Sequence, residues 1–184
     1  MSLALGARVG LPDDLLFLLA AHPRETWEGG LGDVGRFWLS RHGMFRQAQA
    51  MLLSEARGFV ATPDVARFRP RFARLAGFLL GELETHHTVE DHHYFPRLAL
   101  LEPRLQRGFD LLDADHHALH DTLAATADTA NAVLRADGER DAREAALRAE
   151  AAIDRLGGLL DRHLADEEDI VAPLLIARGE ETLR

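Results

Sequence analysis

Residues 84–96 read ETHHTVEDHHYFP, so four histidines and three carboxylates lie within one predicted helix. Residues four apart on an α-helix lie about 6 Å apart along the axis and on nearly the same face. His86 and Glu90 can therefore direct one nitrogen and one oxygen to a common point. This stretch predicts a long helix that carries a pair of metal ligands.

The HxxxExxxxxP pattern that begins at His86 occurs a second time at His163. Between the two copies, His116 and His120 are again four residues apart, and His42 lies upstream in an aromatic run. A lone histidine on an apolar helix face is usually a core residue, but here four predicted helices each contribute to the pattern. We therefore predict seven inward ligands, which are too many for one ion: His42, His86, Glu90, His116, His120, His163 and Glu167.

The composition indicates a single all-α domain. Alanine and leucine dominate the 184 residues and β-branched residues are sparse, which favours helix over strand. The formal charge of −9, without a basic stripe to offset it, argues against nucleic-acid binding. Because the chain has no cysteine, any metal must take nitrogen and oxygen donors, so iron, manganese and zinc all remain open.

The sequence also lacks signals for a membrane or for export. No apolar run approaches the roughly 18 residues of a membrane span, and the N-terminus has no secretory signal pattern. We expect a cytoplasmic protein that does not engage a membrane.

Four long helices are predicted, at residues 33–58, 71–95, 104–136 and 140–171. Pro70 is expected to precede the second helix, while Pro96 and Pro173 are expected to end the second and the fourth. Short connections between long helices predict an antiparallel up-down four-helix bundle, in which the ligand-bearing halves of all four helices meet at one end. The predicted regions are a short N-terminal helical extension at 1–33, the bundle at 34–176 and a C-terminal tail at 177–184.

The histidine doublets leave an alternative frame, in which the four-residue pairs begin one position later, at His87 and His117. We rank this frame lower because it would turn Arg74 and Asp113 toward the core. No role is assigned to His93. The residues expected at the surface or behind the ligands are His87, His92, His117, Asp91 and Glu168.

The order and spacing of His42, the two HxxxE copies and the HxxxH pair resemble the hemerythrin family, specifically its bacterial HHE cation-binding branch. The segments EDHHYFP (90–96) and EEDIVAP (167–173) also match the family pattern, and the resemblance covers residues 34–176. One departure is that marine hemerythrins space the last pair as HxxxxD, whereas here it is HxxxE, followed by Glu168.

The resemblance implies two non-haem irons with an oxo or hydroxo bridge, for which zinc or manganese could substitute. Glu90 and Glu167 would bridge the metals. One iron would take His116, His120 and His163, and the other would take His42 and His86.

On that ligand set one coordination position stays open, on the iron with two histidines. We expect dioxygen or nitric oxide to bind there, in sensing, transport or storage, and a binding protein rather than an enzyme. The alternatives are a di-iron enzyme that handles nitric oxide or peroxide, an iron storage or homeostasis protein, and a metal-free interaction bundle. We expect no attached output domain, so signalling would need a separate signalling or redox partner.

The extension carries a predicted helix at residues 11–21 in which residues 15–19 are apolar on every side, so it requires burial. We expect it to pack at the metal-bearing end, either as a lid or as the contact of a homodimer. Trp38 lies one helical turn before His42 and is expected either to roof the open position or to serve as plain core packing.

Overall fold

The computed structural model describes residues 3–183, and within that range every regular element is a helix. The predicted all-α class is confirmed. The α-helices are α1 (Phe17–Ala21), α2 (Trp27–Gly30), α3 (Asp33–Ala61), α4 (Val65–Val89), α5 (Phe95–Leu101), α6 (Gln106–Arg135) and α7 (Gly138–Arg178). Short 3-10 helices cover Asp13–Leu15, Arg24–Thr26, Pro103–Leu105 and Glu181–Leu183, and a π-helical segment covers Glu90–Tyr94.

The predicted start of the second helix at residue 71, just after Pro70, is wrong. Helix α4 begins at Val65 and carries Pro70 inside it. The earlier start is stabilised by Asp64, whose carboxylate accepts the backbone N–H of Arg67 at 3.1 Å, as a helix cap does. Pro70 then removes only one backbone hydrogen bond near the beginning of the helix.

The predicted end of the last helix at Pro173 is also wrong. Helix α7 continues through Pro173 to Arg178. Gly179 follows with a φ of 83°, a left-handed conformation that commonly ends helices and that glycine adopts without strain.

A π-helical turn replaces the helix end predicted at Pro96. The Phe95 N–H donates to the Glu90 carbonyl, five residues back, and the chain continues as α5. Residues five apart on an α-helix differ by about 140° in direction, whereas a π turn brings them toward one face. Glu90 and Phe95 are consequently both buried. The π turn thus aligns a predicted ligand with an apolar core residue.

The described residues divide into two compact units. The first contains residues 3–43, 86–117 and 161–183, and the second contains 44–85 and 118–160. Each of the four long helices supplies residues to both units. Six of the seven predicted ligands fall in the first unit, and His120 falls in the second.

The N-terminal extension is part of the core of the first unit. Leu15 and Leu18 pack in one apolar cluster with Trp38, Phe109 and Leu174. The segment at 11–21, predicted as one helix, is divided into the 3-10 helix Asp13–Leu15 and α1. Leu11, Leu15 and Leu18 are buried while Leu16, Phe17 and Leu19 are only half-buried, so the segment is buried on one side rather than all round as expected.

The C-terminal segment holds the beginning of α3 in the same unit. The buried Glu180 carboxylate accepts the backbone N–H of Val34 at 3.0 Å and of Gly35 at 2.9 Å. These first-turn N–H groups have no partner within the helix, and the carboxylate also meets the positive end of the helix dipole. A Cβ at Gly35 would lie 2.7 Å from Glu180 Oε1, so this close approach depends on glycine. The start of the helix that carries His42 is therefore fixed.

The second unit is packed with apolar side chains. The Phe59 and Phe68 rings stack at 4.0 Å, and Phe72 lies 4.9 Å from Phe68. The Gln49 side chain donates to the Ile153 carbonyl at 3.0 Å and links α3 to α7. None of the helices in the described range is both long and apolar enough to cross a membrane.

Candidate metal centre

Two groups of potential metal ligands lie in the first unit. They come from α3, α4, the π-helical segment, α6 and α7. Within each group, one donor atom per residue lies within 4.8 Å of the others. The first group is His42, His86, Glu90 and Glu167, and the second group is His87, His116 and His163.

The first group is compact around the Nε2 atoms of two histidines. His42 Nε2 lies 3.1 Å from His86 Nε2 and 3.5 Å from Glu167 Oε2. His86 Nε2 lies 3.1 Å from Glu90 Oε1. His86 and Glu90 thus meet at one point, as their spacing of four residues predicts.

The second group is formed by three imidazoles. His116 Nε2 lies 3.1 Å from His163 Nε2. The His87 ring stacks on His116 with centroids 4.1 Å apart and meets His163 edge-on at 5.5 Å. All three residues are buried.

The two carboxylates lie between the groups. Glu90 directs Oε1 toward His86, while its Oε2 lies 3.7 Å from His116 Nε2. Glu167 Oε2 is 3.5 Å from His42 Nε2 and 3.6 Å from His163 Nε2. Each carboxylate therefore reaches an imidazole of both groups, which is the arrangement that a bridging ligand requires.

Carboxylates behind the imidazoles orient the rings. An Nδ1–H that is donated to a carboxylate leaves Nε2 with its lone pair for a metal. Three rings make such a bond: His42 to Glu168 at 3.0 Å, His116 to Asp91 at 2.6 Å and His163 to Asp115 at 3.4 Å.

Burial disturbs the ionisation of the site. It lowers the pKa of His163 well below its usual value, and neighbouring imidazoles lower it further. The pKa of His86 is lowered for the same reasons. Burial raises the pKa of Glu90, and it raises the pKa of Glu167 well above its usual range, with repulsion from Glu90 adding to the shift. The neutral imidazoles suit metal binding, and the two carboxyl groups lack a compensating positive charge.

These residues fit a metal centre. Both oxygens of Glu167 and Oε2 of Glu90 are buried without a hydrogen-bond partner. A buried carboxylate is costly unless a cation or hydrogen bonds compensate it. Imidazole nitrogens and carboxylate oxygens form a donor set that suits iron, manganese or zinc.

The structure brings six of the predicted ligands together and places His120, which was predicted to point inward, at the surface. Its side chain is 64% exposed and hydrogen-bonded to Glu84 at 3.2 Å. His87, expected at the surface or behind the ligands, lies instead in the second group and is 6% exposed. Neighbouring helix positions point only about 100° apart, so His86 and His87 both border the interior.

The remaining predicted positions fall in two classes. Asp91 and Glu168 lie behind ligand histidines, as expected for supporting residues. His92, His93 and His117 are exposed, and the Nδ1–H groups of His92 and His117 donate to the backbone carbonyls four residues earlier in the chain.

Two residues of the site were not anticipated. Asp115 accepts a hydrogen bond from His163, and Arg8 donates hydrogen bonds to Asp115. A signal for Asp115 exists, because it shares the apolar helix face of Leu112 and Leu119 at helical spacing. No sequence pattern distinguishes Arg8 from the other arginines.

The comparisons with known proteins agree with the geometry. No curated protein and no solved structure matches the chain. The family model for the Hemerythrin HHE cation binding domain matches residues 34–175, most of the chain. The match confirms the predicted resemblance. With its buried histidines and carboxylates in two adjoining groups, the chain belongs to the hemerythrin HHE cation-binding family.

Proposed function

We propose that this protein is a non-haem di-iron protein that binds dioxygen, or a similarly small ligand, for sensing, transport or storage. The observation that supports it best is the pair of donor groups joined by two carboxylates. Seven donors are too many for one ion, and two buried anions require more positive charge than the described side chains provide.

In this proposal each donor group holds one ion. His42 and His86 would bind the first, and the three imidazoles of the second group would bind the other. Glu90 and Glu167 would bridge them, because each reaches both groups. When bound, ferrous iron supplies the electrons that dioxygen binding requires.

The first donor group has fewer imidazoles than the second, which favours binding of a small ligand at the ion of the first group. Two imidazoles serve the first ion and three serve the second, so with both carboxylates shared, the open position falls in the first group. Trp38 borders it, with its ring 4.1 Å from the His42 ring. A buried indole there limits access of water to the open position.

The donor set favours binding over oxidative catalysis. Carboxylate-rich di-iron sites use four glutamates and two histidines, whereas this site offers five imidazoles and two carboxylates. Fewer anionic ligands stabilise high-valent iron less well. For the scaffold, we propose that α3, α4, α6 and α7 form the antiparallel four-helix bundle expected from their lengths.

Iron content of the full-length protein, loaded without oxygen, tests the site. We expect about two irons per chain, because the donors divide into two groups. His87→Ala should lower the content toward one iron, whereas the matched variant His120→Ala should keep the wild-type content. A reproducible single iron in the wild type, or a larger loss in His120→Ala, would contradict the assignment.

Stopped-flow mixing of the reduced protein with dioxygen tests the function. We expect a coloured complex that forms within the dead time or shortly after, and that is reversed when oxygen is removed. Direct conversion to the ferric spectrum, with steady turnover of peroxide or nitric oxide, would support an enzyme instead. Uptake of many irons per chain would support storage.

A further inference from the structure

Arg8 is a buried arginine in the N-terminal segment, outside the region that matches the family. Its Nη1 and Nη2 donate to the two carboxylate oxygens of Asp115, with the Nη1–Oδ1 contact at 2.8 Å. Its Nε donates to Asp166 at 2.7 Å, and Nη1 also reaches the Leu3 carbonyl at 2.9 Å. A planar guanidinium holds a carboxylate in one orientation through such paired bonds.

Asp115 connects this arginine to the second donor group. Its Oδ2 accepts the Nδ1–H of His163 at 3.4 Å, a long bond compared with those from Arg8. The position of Asp115 is therefore set mainly by Arg8, and the His163 ring is oriented by a carboxylate that Arg8 holds in place. Asp166, the second partner of Arg8, precedes Glu167 directly in α7.

The burial of this network argues against simple anchoring of the segment. The side chains of Arg8, Asp115 and Asp166 are 1–3% exposed. Burying three charged groups is costly, and an exposed pair would suffice to anchor a chain. The same segment has such a pair, because Asp14 bonds to Arg107 at 2.8 Å with both side chains more than half exposed.

We propose that Arg8 is a positioning residue of the metal centre, which fixes Asp115 and through it the His163 imidazole. The N-terminal segment is then a functional part of the second donor group. This inference rests on the proposed di-metal site. Partners that orient metal-bound histidines typically change metal affinity about 10–100-fold when removed.

Metal release from the full-length protein tests this role. The protein would be loaded with Co²⁺ and mixed with excess EDTA, and the release followed by the cobalt absorption spectrum. We expect two phases in the wild type, one for each donor group. Arg8→Ala should speed one phase about 10–100-fold and the other much less. Arg8→Lys, which keeps the charge but loses the paired bonds, should have an intermediate effect.

Arg107→Ala is the matched control, because it removes an ion pair of the same segment without touching a carboxylate behind a ligand. It should release cobalt at wild-type rates. Equal acceleration of both phases in Arg8→Ala would indicate general loosening, and unchanged rates would show that Arg8 does not position His163. Either result overturns the proposal.

A measurement on the metal-free protein separates this proposal from the di-metal site. Nitrogen-15 NMR should show the His163 Nδ1–H as a slowly exchanging, hydrogen-bonded proton in the wild type and in Arg107→Ala. That proton should exchange faster in Arg8→Ala and, to a smaller extent, in Arg8→Lys. An unchanged proton would overturn the inference. A wild-type chain that binds fewer than two Co²⁺ would instead overturn the proposed function, and the metal-positioning role with it.

Discussion

The Trp38 indole donates its Nε1–H to Glu90 Oε1 at 2.7 Å, so one residue both covers the first donor group and tunes one of its carboxylates. A hydrogen bond to a carboxylate withdraws electron density from it and makes it a weaker donor to iron. Replacing the indole with an apolar ring of similar size would remove that bond while largely preserving the packing.

We therefore expect Trp38→Phe to keep its iron but to oxidise faster in air. Without the hydrogen bond, Glu90 donates more strongly and the ferric state is favoured. The rate of ferric formation in air-saturated buffer, followed optically, should rise several-fold. Phe109→Leu, a change in the same apolar cluster that touches no ligand, is the control. Equal rates in the two variants would contradict this role.

Most residues of the candidate site could be predicted from the sequence, but two could not. Six of the seven predicted positions lie in the two donor groups, and for His86 with Glu90 and His163 with Glu167 the four-residue spacing on a helix explains why they share a face. That His87 is buried in a donor group while His120 is exposed could not be predicted, because two neighbouring helix positions can both border a wide interior. The family pattern favoured His120, but that side chain is exposed and bonded to Glu84.

The helix boundaries that were predicted at prolines could not be placed correctly from the sequence. Proline removes one donor from a helix without always ending it, so a boundary depends on whether neighbouring bonds compensate. Pro96 follows a π turn, and Pro173 lies within α7. Sequence patterns predict the existence of the long helices, while compensation through caps and π turns depends on contacts that spacing alone does not reveal.

The junction between α5 and α6 depends on a charged contact whose strength varies with pH. Glu102 ends α5 and accepts hydrogen bonds from Arg104 at 2.7 Å and from Arg178 of α7 at 2.6 Å. These bonds lower the pKa of Glu102 to about 2. A lowered folded-state pKa means that the stabilisation is fully present above the ordinary carboxyl pKa and is lost as pH falls toward about 2.

We expect Glu102→Gln to lower the melting temperature at pH 7 by about 2–4 °C, the effect of roughly 1 kcal/mol in a chain of this size. The difference from wild type should shrink between pH 4.5 and about 2, where Glu102 itself becomes protonated. Thermal unfolding of the metal-free wild type and variant across that pH range measures this difference in melting temperature. Glu25→Gln, at an exposed position, should show no such trend, and a constant difference at all pH values would contradict the assignment.

The two compact units differ in the chemistry of their interiors. The first contains every candidate donor group found among residues 3–183, with its buried carboxylates. The interior of the second is formed largely by aliphatic and aromatic side chains, such as Phe72, Leu79 and Ile153. Removing metal should therefore leave buried carboxyl groups without a compensating cation in the first unit and not in the second.

Hydrogen exchange with and without metal should reveal this difference. We expect backbone exchange to accelerate on metal removal in residues 86–117 and 161–178, and to change much less in 44–85 and 118–160. Mass spectrometry of peptic fragments provides the measurement. A uniform change, or one concentrated in the second unit, would show that metal does not stabilise the first unit preferentially.

The adjacency of His86 and His87 couples the two donor groups through a single peptide unit. The first ion to bind would immobilise that turn of α4 and so reduce the entropy lost by the second, which makes loading cooperative. At half saturation, chains with no ion and chains with two should outnumber singly loaded chains, a distribution that native mass spectrometry resolves. Random filling, with singly loaded chains most abundant, would show that the two groups load independently.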